Sequence, residues 1–416
     1  MQVAYPSLCI KSKLIMNQNS ILLLTKDAQC KSYYPSYGNK YWEGKMPNWE
    51  SLAQKGTIYN RFYTAAPSSN MSYLSMFTMM YPYQHDIKEY VYLPKEFHGL
   101  TFFDLMQKEG YENHIIWDST WDADVQYVRC YKGCIIHSVS DLRQGVGCHY
   151  DHKEPLKPNE ELAMDTLSRF VQLLDSFAKT EKKIFLWCHL PHVLNGRTGY
   201  GGDMDLYDKY IGVLRNYFTD DNIFISADHG NMNGHKGKVC YGFDVYEPSI
   251  NIPLLTPKIN NESINNDIIS NIDIFELILN RRIPKRELVI SDSAYYAQPR
   301  RKTAFIMGRY VYIYNKFTGS EELYDLSWDP NQDFNLINDF VYDVDRNNHT
   351  LACEYYFYPY WDKLPEIRAM FIEEKNKIWR TETRAQKIAA VIRRFLSRHK
   401  HLKNIIKTLI AYDKWK

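Results

Sequence analysis

Short apolar runs that stop abruptly at polar residues alternate along this chain with longer stretches whose apolar positions recur every three or four residues. Ser20–Thr25 (Ser-Ile-Leu-Leu-Leu-Thr) reads as a first buried strand, and Tyr59–Ala65, His114–Trp117, Ile184–Leu190 and Ile223–Ala227 read the same way. Between them the helical period predicts helices over Pro47–Gly56, Tyr73–Met80, Leu100–Glu109, Glu160–Lys179, Met204–Phe218 and Ile268–Leu279. Strands that alternate with helices imply a layered α/β sheet. Thr303–Ile306, Tyr310–Asn315 and Glu322–Asp325 lie too close together for crossover helices, which predicts an antiparallel set. From about residue 363 onward the pattern is helical and increasingly basic. No internal repeat is visible.

Composition changes this picture at one end only. The 416 residues suffice for one large domain with a smaller companion. Residues 371–416 hold 13 Lys/Arg against 4 Asp/Glu, a local +9, whereas the whole chain is +2 and the remainder therefore −7. Ile388, Val391, Ile392, Phe395 and Leu396 repeat at helical spacing among Arg393, Arg394 and Arg398. Two readings stand side by side: a basic amphipathic helix resting on an anionic membrane surface, or a helix packed on its own domain. Nucleic acid is a weaker third choice, since no recognisable reader accompanies the basic run. The eight cysteines contain no Cys-x-x-Cys pair and read as scattered reduced thiols. With no signal peptide in evidence, the expectation is a cytoplasmic protein, in contact at most with the inner face of the membrane.

Candidate chemistry gathers where apolar runs end. Ile223–Ala227 is followed at once by Asp228-His229-Gly230, and the carboxyl ends of strands in α/β sheets are where ligands gather. Adjacent carboxylate and imidazole suit a divalent cation, which takes oxygen and nitrogen donors together. Ala66-Pro67-Ser68-Ser69-Asn70-Met71-Ser72 sets small residues ahead of a helix. That arrangement is an anion site, or alternatively a plain N-cap by Ser68 or Ser72. His189 and His192 flank another strand end, where a histidine can be structural or catalytic, and His235 beside two lysines can simply be solvated.

Ordered blocks then carry a resemblance. Ile21–Asp27, Met46-Pro47-Asn48-Trp49-Glu50-Ser51-Leu52-Ala53, Thr64–Ser69, Asp228-His229-Gly230, Tyr246-Glu247 with Pro253-Leu254, and Gly308–Ile313 with Glu322–Pro330 follow one another as in the sulfatase-like branch of the alkaline phosphatase superfamily. Similarity covers roughly residues 18–340. It implies an alkaline-phosphatase-like layered sheet flanked by helices, a small C-terminal antiparallel β subdomain and a basic helical tail. The expected division is a lead segment over 1–18, a catalytic domain over 19–300, the subdomain over 301–362 and the tail over 363–416. Carried over residue by residue, the resemblance implies a divalent cation (Ca, Mn, Mg or Zn) on Asp27, Asp228 and His229. It implies Ser69 as nucleophile, with His192 and His235 as partners for the anionic group or the leaving oxygen. Lys236 or Lys238, together with Asn70, would bind substrate.

The chain departs from that pattern in informative places. Sulfatases carry Cys or Ser, any residue, Pro, any residue, Arg at the nucleophile, and oxidise the first to formylglycine; here the run is Ser69-Asn70-Met71-Ser72-Tyr73. They carry two acids after the first strand, where this chain has Lys26-Asp27, and a Lys and a His after the third, where it has Trp117-Asp118-Ser119. A plain serine is a poor nucleophile at neutral pH unless something lowers its pKa, and an adjacent cation does that. The expected function is therefore metal-dependent hydrolysis or transfer of phosphate (or sulfate) esters through Ser69, with an anionic ester on a glycan or lipid precursor as partner. The alternatives are a true sulfuric ester hydrolase and a catalytically silent member of the fold that binds an anionic glycan.

Overall fold

The computed structural model describes residues 14–85, 97–117, 131–138, 170–190, 201–239, 241–293, 302–316, 318–337 and 358–379. An eight-stranded sheet runs through the larger part in the order β5-β4-β6-β1-β7-β8-β2-β9. Its strands are β1 (Ile21–Lys26), β2 (Thr57–Tyr59), β4 (Glu112–Trp117), β5 (Cys134–Ser138), β6 (Ile184–Leu190), β7 (Ile223–Ala227), β8 (Leu254–Thr256) and β9 (Ile264–Asn265). From β5 to β7 all neighbours are parallel, and β8 then pairs antiparallel with both β7 and β2. β1, β6 and β7 are buried along their whole length, as expected of strands covered on both faces.

Side-chain alternation sends Leu22 and Leu24 of β1 into one core, and Ile21 and Leu23 into another. The first core lies under α1 (Pro47–Lys55), the helix over residues 170–178 and the helix Met204–Leu214. The second lies under α2 (Ser69–Thr78) and the helices Phe102–Lys108 and Ile274–Leu279. A second sheet, β11-β12-β13-β14, is antiparallel throughout and spans Leu288–Asp292, Lys302–Met307, Tyr310–Asn315 and Glu321–Asp325. One of its faces packs on Met232, Val245, Tyr246 and Ile250 of the larger part. The other is covered by the helix Leu364–Trp379 through Phe371 and Ile378.

Three local expectations are corrected. The run Tyr59–Ala65 is two short strands, β2 and β3 (Phe62–Tyr63), and β3 pairs with β10 (Ile269–Ser270). Ile268–Leu279 opens with that strand and only becomes α-helical at Ile274, because a Ser270–Asp273 capping box starts the turn there. α2 starts at Ser69 rather than Tyr73, so the serine sits in its first turn. Among the described residues no helix is long and apolar enough to cross a membrane. The tail beyond residue 379 lies outside the described residues, and no observation on the others supports membrane contact.

Candidate active site

Strand register builds the site. β1 and β7 are parallel neighbours with Lys26 opposite Ala227, so Asp27 and Asp228 leave the sheet side by side at its carboxyl edge. His229 follows immediately, and ligand atoms of Asp27, Asp228 and His229 all lie within 4.8 Å of one another. His229 Nε2 is 3.5 Å from Asp27 Oδ1 and 3.4 Å from Asp228 Oδ2. His229 Nδ1 lies 2.7 Å from the Gly230 carbonyl. A carbonyl can only accept, so Nδ1 carries the proton and the Nε2 lone pair points into the cluster.

Asp228 is fully buried, and its two oxygens are treated differently. Oδ1 accepts backbone N–H groups from His229 (2.7 Å) and Ala28 (3.0 Å). Oδ2 is buried and accepts no hydrogen bond. Burial, with the charge of Asp27 added, pushes this carboxyl up to about 6. An orphaned carboxylate oxygen, a second carboxylate and an imidazole with its lone pair exposed form a donor set that fits a divalent cation.

Ser69 stands at the mouth of this cluster. Its Oγ is 3.1 Å from His229 Nε2 and 3.4 Å from Asp27 Oδ1. α2 carries the serine from the same face of the sheet as Asp27, packing Tyr73, Met76 and Phe77 into the second core. The backbone N–H groups of its first turn, Ser69 to Met71, have no partner within the helix and lie at the positive end of its dipole. The N-cap alternative holds for Ser68 by position only and fails for Ser72. Ser68 is the N-cap, but its hydroxyl makes no capping bond. The Ser72 hydroxyl instead donates to the Asp228 carbonyl (2.6 Å), tying the serine helix to the ligand strand. Asn70 is buried with its Oδ1 unpartnered.

Of the remaining expected residues, those that are described make no hydrogen bond or ion pair to Ser69. His192 lies outside the described residues. His235, Lys236 and Lys238 ride on the loop after the ligands, where Asn233, Gly234, Lys236 and Gly237 all have positive φ. Lys236 reaches the Gln332 carbonyl, and Lys238 pairs with Asp244 at 2.7 Å. His235 Nε2 is buried without a hydrogen-bond partner, and burial together with the Lys236 charge pulls its pKa down. Tyr246 anchors the loop to the second sheet. Its hydroxyl donates to Glu322 (2.7 Å) and accepts from Lys302 (2.8 Å).

Lys26, at one of the two positions where the sulfatase pattern carries an acid, is used in the core instead. Period-two alternation sends it to the face opposite Asp27, where its ammonium meets Asp203 at 3.1 Å with both side chains fully buried. His189 belongs to the structural reading left open for it. It is buried with Thr25 (3.1 Å) and Tyr73 (2.5 Å) around its Nδ1, and it stacks on Trp117. Sequence reasoning missed Asn231 and Asn271, two buried amides that stitch the site to its surroundings. Asn231 directly follows Asp228-His229-Gly230, which is the one signal that could have found it.

Comparison with known proteins places this geometry in a family. The Sulfatase family model matches residues 18–281, which is more than half of the chain. The chain belongs to the Sulfatase family. Among solved structures it is similar to a Bacteroides thetaiotaomicron protein assigned to the sulfatases, with 15% identity, TM-score 0.64, and 88% of this chain and 94% of that one covered. It is also similar to the phosphonate monoester hydrolase of Agrobacterium radiobacter, with 15% identity, TM-score 0.57, and 85% and 96% covered. A third, solved with its substrate D-glucosamine-2-N,6-O-disulfate, shows 13% identity, TM-score 0.61, and 87% and 98% covered. At these identities the likeness is one of fold. A curated relative, the phosphopentomutase of Agathobacter rectalis, is 39% identical over 69 residues, and the chain spans only 15% of that protein's length.

Proposed function

We propose that this chain is a divalent-metal-dependent hydrolase or phosphotransferase of phosphate esters, with Ser69 as its nucleophile. The observation that carries the reading is the Ser69 hydroxyl, 3.1 Å from His229 Nε2 and 3.4 Å from Asp27 Oδ1, at the edge of a donor set suited to a cation. A cation on Asp27, Asp228 and His229 supplies Lewis acidity, which lowers the pKa of a neighbouring hydroxyl and offsets charge on the ester. Ser69, its hydroxyl proton given up to solvent water as its pKa is lowered, forms the new bond from Oγ to phosphorus in line with the leaving oxygen, and the bond to that oxygen breaks. Its electron pair departs with the alkoxide, which takes a proton from His192 or His235. His235 starts with a lowered pKa, and an arriving dianion offsets that push. Water or a second alcohol then attacks the phosphoserine, passes its proton to the same base and restores Ser69. The free N–H groups of the first turn of α2, with Asn70 and either Lys236 or Lys238, face the ester's peripheral oxygens.

Phosphate is favoured over sulfate because Ser69-Asn70-Met71-Ser72-Tyr73 lacks the Pro and Arg that accompany formylglycine formation. Plain serine cannot follow the aldehyde-hydrate route. We take anionic esters on glycan or lipid precursors as the substrate class, and the glycan half of that reading is supported by one fold neighbour described with a sulfated glucosamine as its own substrate. Intact mass of the Ser69 peptide and rates for a matched aryl phosphate and aryl sulfate test this. The expected result is an unmodified serine, faster phosphate release, and loss of turnover in Ser69→Ala by a thousandfold or more, on the order of other nucleophile deletions. An aldehyde at position 69 with faster sulfate release restores the sulfatase. Metal binding with turnover of neither ester leaves the silent glycan binder.

A further inference from the structure

Two features just beyond the ends of β1 and β7 lie outside the ligand set. Ala28, the residue after Asp27, has φ +53° and is completely buried, a conformation that costs an L-residue on the order of 1–2 kcal/mol. Asn231, the second residue after His229, is also completely buried. The amide of Asn231 joins them: Nδ2 donates to the Ala28 carbonyl at 3.0 Å and to Tyr33 Oη at 3.0 Å. The amide cannot be turned over, because its oxygen would then face the Ala28 carbonyl. The backbone of Asn231 is fixed as well, donating to Cys30 Sγ (3.3 Å) and accepting the thiol hydrogen (3.2 Å).

We propose that Asn231 is a positioning residue for the cation site, acting through the left-handed backbone of Ala28. In that conformation the Ala28 N–H points at Asp228 Oδ1. With the His229 N–H on the same oxygen, the carboxylate is clamped by one edge, and Oδ2 is left turned toward His229 Nε2 at 3.4 Å. Without the amide, Ala28 relaxes to negative φ and its N–H swings away from Oδ1. Asp228 then rotates, and a cation must supply the ordering that the protein otherwise provides in advance. The two ligand strands are thus locked together by a residue that touches neither the cation nor the ester.

This inference rests on the reading that Asp27, Asp228 and His229 hold a cation, and the test separates the two. The full chain is stripped by chelation and titrated calorimetrically with Mn²⁺, while thermal unfolding of the metal-free protein is followed alongside. Asn231→Ala is expected to bind Mn²⁺ roughly ten- to a hundredfold more weakly. Ala28→Gly, which takes positive φ without strain, should bind within about twofold of the wild type, and in Asn231→Ala/Ala28→Gly it should recover about fivefold or more of the loss. Tyr33→Phe keeps the packing and should weaken binding about threefold, which covers the case in which Asn231→Ala does not fold. No Mn²⁺ binding by the wild type overturns the metal reading itself. Wild-type affinity in Asn231→Ala or Tyr33→Phe, a fall in unfolding temperature without a change in affinity, or no recovery in the double variant overturns the positioning role.

Discussion

The candidate metal-ligand cluster and the loop that follows it are held in opposite ways. Asp27, Asp228 and His229 leave two paired strands, and the register of that pair already sets them together. Buried bonds from Ser72, Ala28 and Asn231 then fix their orientation. His235, Lys236 and Lys238 are set by a loop with four left-handed residues, and its charges are spent on Gln332 and Asp244. Among the described residues no hydrogen bond or ion pair joins the loop trio to Ser69 or to the ligands. The first region is prepared before any ligand arrives. The second is stored against the small sheet, and its groups must exchange their present partners to meet an ester. Strain at sparsely populated backbone conformations persists where surrounding structure over-determines it, and here the Tyr246 ring, held by Lys302 and Glu322, lies against His235 and Lys236 of the loop.

The sharpest way to break the comparison is at its rigid half. Asp228→Asn should leave the purified protein without its divalent metal in elemental analysis and reduce phosphate-ester turnover by about a thousandfold or more. Full metal occupancy in that variant would remove Asp228 from the ligand set. Lys238→Ala probes the other half. It should lower kcat/KM for an aryl phosphate by about ten- to a hundredfold at unchanged metal content, if its charge serves the ester, as proposed, and not the cation. A parallel loss of metal would show that the two regions are one. The smallest effect belongs to the anchor. Tyr246→Phe removes a hydroxyl bonded to both Lys302 and Glu322 and should cost about 1 kcal/mol, read as a lower unfolding temperature with metal affinity intact.

Glu322 adds a pH dependence to that anchor. Burial alone would raise its pKa, but the Lys302 charge and hydrogen bonds from Tyr246 and Tyr324 outweigh burial and hold it below the usual value. A depressed carboxylate contributes stability that is complete above its unfolded pKa and lost as pH falls through the folded one. Unfolding curves of Glu322→Gln should therefore differ from the wild type at neutral pH and converge with it in acid. A constant gap across that range would contradict the assignment.

How much of this was legible in the sequence follows the same division. β1, β6 and β7 were readable because strands buried on both faces are continuous apolar runs, and their ends delivered Asp27, Asp228 and His229. The short strands β8, β9 and β11 escaped, because two to five residues offer too little pattern to separate them from loop. Ser69 was expected as the nucleophile, yet its place inside the first turn of α2 was not, since small polar residues there look like the turn before a helix. Asn231, Ser72 and Lys26 could not be assigned roles in advance. Their partners lie 203, 156 and 177 residues away, and no local period encodes such pairs.

The inward-facing Lys26 has a consequence for what can approach the centre. Two carboxylates and a neutral imidazole bring a bound divalent ion to a formal sum of zero, whereas a further acid beside Asp27 would leave the centre at −1. In the proposed reaction a dianionic ester would thus meet no residual like charge as it nears Ser69, and even one unit at about 4 Å is worth several kcal/mol where water is scarce. Nor does a single substitution reverse the arrangement. An aspartate at position 26 would project toward Asp203, two buried anions with no cation between them, before it could serve the metal. The face of a strand on which one side chain falls therefore fixes the charge that a substrate encounters on the other face.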